Sequence, residues 1–115
     1  MQLNVKGKNL EVSDSIRSYA ERKLAKLDKQ LHDQAEVEIE LAVEKNPSVA
    51  DNQVAEATVR MKGHTLRARE ATHDMKASID ELTEKLLRQV REERDKKAAK
   101  RRSGDKHANG DVPVE

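Results

Sequence analysis

The chain has 115 residues, and its 23 basic and 22 acidic side chains give a net charge of +1. The basic and acidic residues are nevertheless segregated from each other along the sequence. It has no cysteine, which excludes disulfides and thiol nucleophiles and fits a reducing, cytoplasmic setting. Its single aromatic residue, Tyr19, excludes nucleic-acid binding by stacking of bases on several rings. We expect one domain, and neither a signal peptide nor an apolar run near the roughly 20 residues of a membrane span is present.

The first predicted elements are a short strand and an amphipathic helix. Leu3 and Val5 alternate with polar residues, which predicts a strand that Gly7 ends. Ser13 is a candidate helix N-cap, and apolar residues then recur at helical spacing. The pattern predicts a helix from about residue 14 to residue 27 or slightly beyond.

The charges of this first helix are sorted onto two flanks of its apolar stripe. One flank is acidic, and the other carries the basic residues Arg22, Lys26 and Lys29, with Lys23 beside them. Such a helix presents a surface of one sign to a partner. The alternative is an ordinary solvated helix face whose charge order is incidental.

Three alternating segments predict a meander of strands after the first helix. The clearest covers residues 35–43, where apolar residues alternate with glutamates, and the next covers residues 55–61. Gly63 favours a tight hairpin, after which Leu66 and Ala68 face inward. The outer faces carry glutamates on the second strand and arginines on the fourth, so we expect an exposed, structural face with favourable cross-strand charges.

A second amphipathic helix is predicted after the meander. Thr72 or Asp74 is expected to cap it, and its apolar stripe runs from Met75 to Val90. Lys85 and Arg88 are i, i+3 neighbours on its exposed side.

Beyond Val90 the apolar stripe ends and the composition changes. Residues 91–102 carry a net charge of +4 and no apolar periodicity, so we expect a basic helix that projects into solvent. The remaining stretch is of low complexity and is predicted to be disordered. The expected organisation is an α+β domain over residues 1–92, a basic helix extension over 93–102 and a disordered tail or linker over 103–115.

No motif for catalysis or metal binding emerges. The four histidines show no metal-ligand spacing and are expected to be ordinary surface residues: His32, His64, His73 and His107. The consecutive glutamates of the second strand line an open face rather than a pocket, and no glycine-rich phosphate loop is present. We therefore expect no enzyme, no metal and no cofactor.

The predicted elements favour an α+β fold, because a sheet with one apolar face must carry both helices on that face. The helices would then lie side by side and expose one surface with basic groups on both. Cations on such a surface neutralise phosphates and release counterions, which is typical of nucleic-acid binding. The other interpretation is a protein-interaction module that binds an acidic protein partner through the same helices.

Two segments carry a resemblance to a known family. The segment VKGKNLEVSDSIRSYAERKLAKLDK begins at Val5, and HDMKASIDELTEKLLRQV begins at His73. Together they resemble the ribosome hibernation-promoting factor family, which includes the ribosome-associated inhibitor, over about residues 2–92. The family usually has an aromatic residue after Asp-Met, where this chain has Lys76.

The resemblance implies a β-α-β-β-β-α fold with a four-stranded sheet and both helices on one face. It also implies a translation inhibitor that occupies the messenger and transfer RNA channel of the small ribosomal subunit and keeps idle ribosomes inactive. The residues that it assigns to contacts with ribosomal RNA are Arg22, Lys23, Lys26, Lys29, Lys85 and Arg88.

Long members of this family add a C-terminal domain that pairs two ribosomes. The resemblance leaves open whether this chain is a short form or the N-terminal domain of a long form. The free chain is expected to be a monomer, because the apolar residues at helical and strand spacing are all needed for one core.

Overall fold

The strands and helices expected from the sequence are present in the computed structural model, which describes the backbone of residues 1–106 and the side chains of residues 1–96. In chain order the elements are β1 (Gln2–Gly7), α1 (Asp14–Leu24), a 3₁₀ helix (Ala25–Lys29), β2 (Glu36–Val43), β3 (Gln53–Met61), β4 (His64–Thr72) and α2 (Met75–Lys106). The α+β class and the β-α-β-β-β-α order are confirmed.

The sheet has the strand order β1-β2-β3-β4. β1 pairs with β2 in parallel, because α1 and the 3₁₀ helix cross between them and return the chain to the same end. The other pairs are antiparallel, and a two-residue loop joins β3 to β4. Gly63 occupies this loop with φ of 74°, a left-handed conformation that glycine adopts without steric cost.

Both helices cover the same face of the sheet, as expected. The buried apolar side chains of β2 are Val37, Ile39 and Leu41, and those of α2 are Met75, Ile79, Leu82, Leu86 and Val90. Leu24 of α1 is also fully buried and belongs to the same core cluster. One contiguous core therefore fixes the side-by-side placement of α1 and α2.

The end of the first helical segment differs from the sequence prediction. The α-helix ends at Leu24 rather than near residue 27, and the 3₁₀ helix follows it directly. Because side chains three residues apart eclipse in a 3₁₀ helix, Leu27 falls on the same side as Leu24. Both side chains are fully buried, so the 3₁₀ winding extends the buried apolar contact from Leu24 to Leu27.

The start of α2 is fixed by a cluster of hydrogen bonds. A carboxylate oxygen of Asp74 accepts a bond of 3.0 Å from the backbone N–H of Ala77, so Asp74 is the cap. Thr72 acts beside it, since its hydroxyl donates to the carbonyl of Asp74. The hydroxyl of buried Ser78 accepts from the backbone N–H of Thr72 at 3.0 Å and donates to the carbonyl of Gln53. Ser78 thereby ties α2 to β3 and β4.

α2 continues without interruption past the core. Its backbone includes the expected extension over residues 93–102 and four further residues, 103–106. The tail was predicted over residues 103–115, and its part over residues 107–115 lies outside the described residues.

The outer face of the sheet is held by ion pairs across β2. Lys6 Nζ lies 3.1 Å from Glu38 Oε2, and Arg60 Nη2 lies 3.6 Å from Glu38 Oε1. The hydrogen bond and charge of Lys6 hold the pKa of Glu38 below its ordinary value. Arg67 and Arg69 of β4 are exposed, and no carboxylate of residues 1–96 comes within 4.0 Å of either. The charges that balance the β2 glutamates therefore come from β1 and β3.

We predict that Ser78→Ala lowers the free energy of unfolding by about 1–3 kcal/mol, because it leaves buried backbone groups of β3 and β4 without a partner. The measurement is urea-induced unfolding followed by circular dichroism. The matched control is Ser18→Ala on the exposed side of α1, for which a change within about 0.5 kcal/mol is expected. Equal effects of the two substitutions would contradict this role of Ser78.

Candidate nucleic-acid interface

A polar contact joins the two helices on the side away from the sheet. The hydroxyl of Tyr19 on α1 donates to Asp80 Oδ1 on α2 at 2.7 Å. The same oxygen lies 3.5 Å from Lys23 Nζ, so one carboxylate serves two groups of α1. Asp80 therefore sets the position of both side chains along the groove between the helices.

Three cationic groups surround the ring of Tyr19. The Arg22 guanidinium carbon lies 5.5 Å from the ring centroid, and Lys23 Nζ lies 5.6 Å from it. Lys76 Nζ, from the first turn of α2, lies 5.3 Å from the same point. All three distances are within the range at which a cation is attracted to an aromatic face. The one tyrosine of the chain thus organises positive charge from both helices.

The surroundings of Tyr19 keep its phenol neutral. The hydrogen bond to Asp80 is the main cause that raises the pKa of Tyr19, and partial burial adds to it. The charge of Arg22 acts in the opposite direction, but the net shift is upward from the ordinary value of 10.0. Near neutral pH the hydroxyl is therefore a donor, and the contact between the helices persists.

The four predicted contact residues of the first helical segment differ in their surroundings. Arg22, Lys26 and Lys29 are exposed, and no carboxylate within residues 1–96 lies closer than 4.0 Å to their charged groups. Lys23 is half-buried and is balanced by Asp80. Three of these four cations are therefore available to an anionic partner.

The two predicted contact residues of α2 lie in different surroundings. Lys85 Nζ is 3.3 Å from Glu70 Oε2 and 3.5 Å from the carbonyl of Arg69, so Lys85 faces β4. Arg88 is exposed and lines a shallow depression of about 270 Å³ together with Lys85. The acidic residues of that depression are Glu70, Asp80, Glu81 and Glu84. Lys85 is therefore paired with a carboxylate and faces β4, whereas Arg22, Lys26 and Lys29 have no carboxylate of residues 1–96 within 4.0 Å.

The residues that the sequence did not single out are Tyr19 and Asp80, together with Lys76, which was noted only as a departure from the family pattern. Tyr19 and Lys23 are four residues apart on α1, and Lys76 and Asp80 are four residues apart on α2. Each pair therefore shares one side of its helix. Two such pairs on helices predicted to be adjacent are the signal that could have found this cluster.

Two further properties of the described residues bear on the kind of site. Among them no group of three or more potential metal-binding side chains comes together. No helix over the same residues is long and apolar enough to cross a membrane.

Comparison with known proteins places the chain in a family. Residues 3–98 match the family described as Sigma 54 modulation protein / S30EA ribosomal protein. The chain belongs to this family. The ribosome hibernation promotion factor of Lactococcus lactis is 41% identical over 95 residues, and the ribosome hibernation promoting factor of Azotobacter vinelandii is 34% identical over 113 residues. The crystal structure of the Thermus thermophilus Protein Y N-terminal domain has 32% identity and a TM-score of 0.66.

The relatives differ in how much of them this chain covers. The alignment with the Lactococcus protein includes 79% of this chain but only 48% of that protein. The chain therefore spans about half the length of this relative. The alignment with the Azotobacter protein includes 98% of this chain and 100% of that protein. The Thermus domain matches 78% of this chain and 96% of that one.

We predict that Tyr19 titrates above pH 10.0, because ionisation would place a phenolate beside Asp80. The chain has one tyrosine and no tryptophan, so the near-ultraviolet absorbance change on raising the pH reports this side chain alone. Asp80→Asn removes the charge and is expected to move the midpoint down toward the ordinary value.

The matched control for this titration is Glu44→Gln, which removes one carboxylate from the exposed connection after β2. It is expected to leave the midpoint where it is in the unaltered chain. A midpoint that is the same in all three proteins would show that Asp80 does not hold the phenol.

Proposed function

We propose that this chain binds the small ribosomal subunit and keeps idle ribosomes from translating. The observation that carries this proposal is the family match over residues 3–98, supported by relatives named as ribosome hibernation factors. The exposed cations of α1 and the 3₁₀ helix supply the chemistry that such binding needs, since they neutralise phosphates and release counterions. Binding alone blocks the ribosome, so the function requires no catalytic step and no cofactor.

The surface supports RNA backbone as the ligand rather than stacked bases. The single aromatic ring is flanked by cations from α1 and α2, which leaves no open platform for several bases. Phosphates need only positive groups at suitable spacing. In this proposal Arg22, Lys26 and Lys29 contact ribosomal RNA phosphates, and Lys23 contributes while it remains paired with Asp80.

We also assign Lys85 and Arg88 to the interface, with a smaller share of the binding. Both belong to the exposed side of α2, but four carboxylates line the same depression. These carboxylates lower the local positive potential and repel phosphate. On the small subunit the chain would occupy the channel for messenger and transfer RNA and exclude both of them. The free chain would be a monomer.

The proposal predicts that Arg22→Glu combined with Lys26→Glu weakens binding to purified bacterial small subunits by on the order of tenfold or more, because two phosphate contacts become repulsive. Sedimentation of the protein with the subunits measures the affinity. The matched control is Lys45→Glu with Lys62→Glu, which changes the net charge equally at exposed positions outside α1.

The control pair is expected to change the affinity only slightly, and Lys85→Glu with Arg88→Glu is expected to give an intermediate loss. Affinity of the unaltered chain should also fall steeply with salt. If Arg22→Glu with Lys26→Glu and the control pair weaken binding equally, non-specific charge rather than this surface explains the association, and the proposal fails.

Occupation of the channel predicts competition. Saturating amounts of the chain should prevent a small subunit from retaining messenger RNA and initiator transfer RNA on a filter. The Arg22→Glu, Lys26→Glu variant serves as the control, and it should need a correspondingly higher concentration to prevent retention. Retention of both RNAs on subunits that also carry the chain would place the binding site outside the channel.

A further inference from the structure

We propose that Arg22 and Lys76, gathered at the ring of Tyr19, form a site for one backbone phosphate of ribosomal RNA in the groove between α1 and α2. This inference rests on the proposed function and deepens it. It adds to the interface a residue outside the six that the family resemblance assigns, and it defines the ligand of the groove as a single phosphate. Lys76 then becomes an RNA-contacting residue of this chain.

The balance of charge in the groove favours an anion there. Lys23 is the member of the cluster with a carboxylate beside it, at 3.5 Å from Asp80. Arg22 and Lys76 have no carboxylate of residues 1–96 within 4.0 Å, although each lies within 5.5 Å of the same ring centroid. Two like charges held around one point repel each other unless an anion joins them. The charges of Asp74 and Asp80 also act on Tyr19, so three cations stand against two carboxylates and the groove keeps an excess of positive charge.

The ring gives this cluster its shape. The face of an aromatic ring attracts cations, so Tyr19 offsets part of the repulsion and holds Arg22 and Lys76 within 5.5 Å of one point before any ligand arrives. The hydrogen bond from the Tyr19 hydroxyl to Asp80, 2.7 Å long, limits rotation of α1 against α2 at this point. A site that is arranged in advance loses less conformational freedom on binding.

The two cationic groups suit a phosphate. A guanidinium presents parallel donors to two oxygens of one phosphate, and an ammonium supplies a compact charge to another oxygen. Both side chains are exposed, so RNA backbone reaches them without any rearrangement of the core. The ring is partly buried and has three cations within 5.6 Å of its centroid, which favours backbone contact over stacking.

The test measures how the affinity for purified bacterial small subunits depends on salt. Each neutralised phosphate contributes roughly 0.7 to 0.9 to the slope of log affinity against log salt concentration. Because Arg22 alone still neutralises the phosphate, every substitution at Lys76 and Lys45 is made in a chain that carries Arg22→Gln. In that chain Lys76→Gln is expected to lower the slope by about this one contact. Lys76→Arg keeps the charge and should keep the slope. Lys45→Gln, the matched control on the exposed connection between β2 and β3, should also keep it.

The outcomes separate this inference from the proposed function. If the unaltered chain binds and Lys76→Gln leaves the slope unchanged, the inference is overturned while the proposed function stands. A loss of affinity in Lys76→Gln without any change of slope would mean a structural role for Lys76 and would also overturn it. A slope that falls as much in Lys76→Arg as in Lys76→Gln would also overturn the inference, because Lys76→Arg keeps the positive charge. Absence of binding by the unaltered chain would remove both proposals.

Discussion

The rest of the structure depends on one constraint, which is that the sheet has a single apolar face. Val37, Ile39 and Leu41 of β2 point to that face, and the glutamates between them point away from it. Water must be excluded from the apolar face, and the burial of each such side chain contributes on the order of 1.5–3 kcal/mol. Both helices are therefore packed on one side, and their outward flanks become neighbours. The groove at Tyr19 exists because of this packing.

The same constraint divides the charges of the molecule between two surfaces with different roles. On the outer face of the sheet, glutamates of β2 are neutralised by Lys6 and Arg60, so positive and negative groups balance locally. On the helical side, Arg22, Lys26 and Lys29 are exposed and have no such partners among residues 1–96. A net charge of +1 thus conceals a sheet face on which the β2 glutamates are paired, although Arg67 and Arg69 beside them are not, and a helical face on which three cations lack a carboxylate partner. The second face is the one suited to an RNA backbone.

Local patterns in the sequence predict most of the fold. The alternation over residues 35–43 and 55–61 identifies β2 and β3, and the spacing from Met75 to Val90 identifies the buried stripe of α2. The 3₁₀ winding after Leu24 was not predictable, because Leu24 and Leu27 satisfy an α-helical pattern and a 3₁₀ pattern equally well. Tertiary packing decided between the two.

The site was less predictable than the fold, because its geometry depends on how the helices are rotated about their axes. A helical wheel places Lys85 on the exposed side of α2, but it does not say whether that flank faces α1 or β4. In the structure Lys85 contacts Glu70 of β4. Tyr19 and Asp80 are 61 positions apart, so no local pattern reveals that they share a hydrogen bond. The family resemblance marked the position of Lys76 without indicating its neighbours.

The central claim is that the surface formed by α1 and the start of α2 is the side of the chain that meets ribosomal RNA. A cryo-electron microscopy reconstruction of the chain bound to the small subunit at physiological ionic strength tests it most directly. The account predicts that the chain lies in the messenger and transfer RNA channel, with Arg22, Lys26 and Lys76 beside phosphates. It would be contradicted by a complex in which the outer face of the sheet contacts the RNA and these helices face solvent.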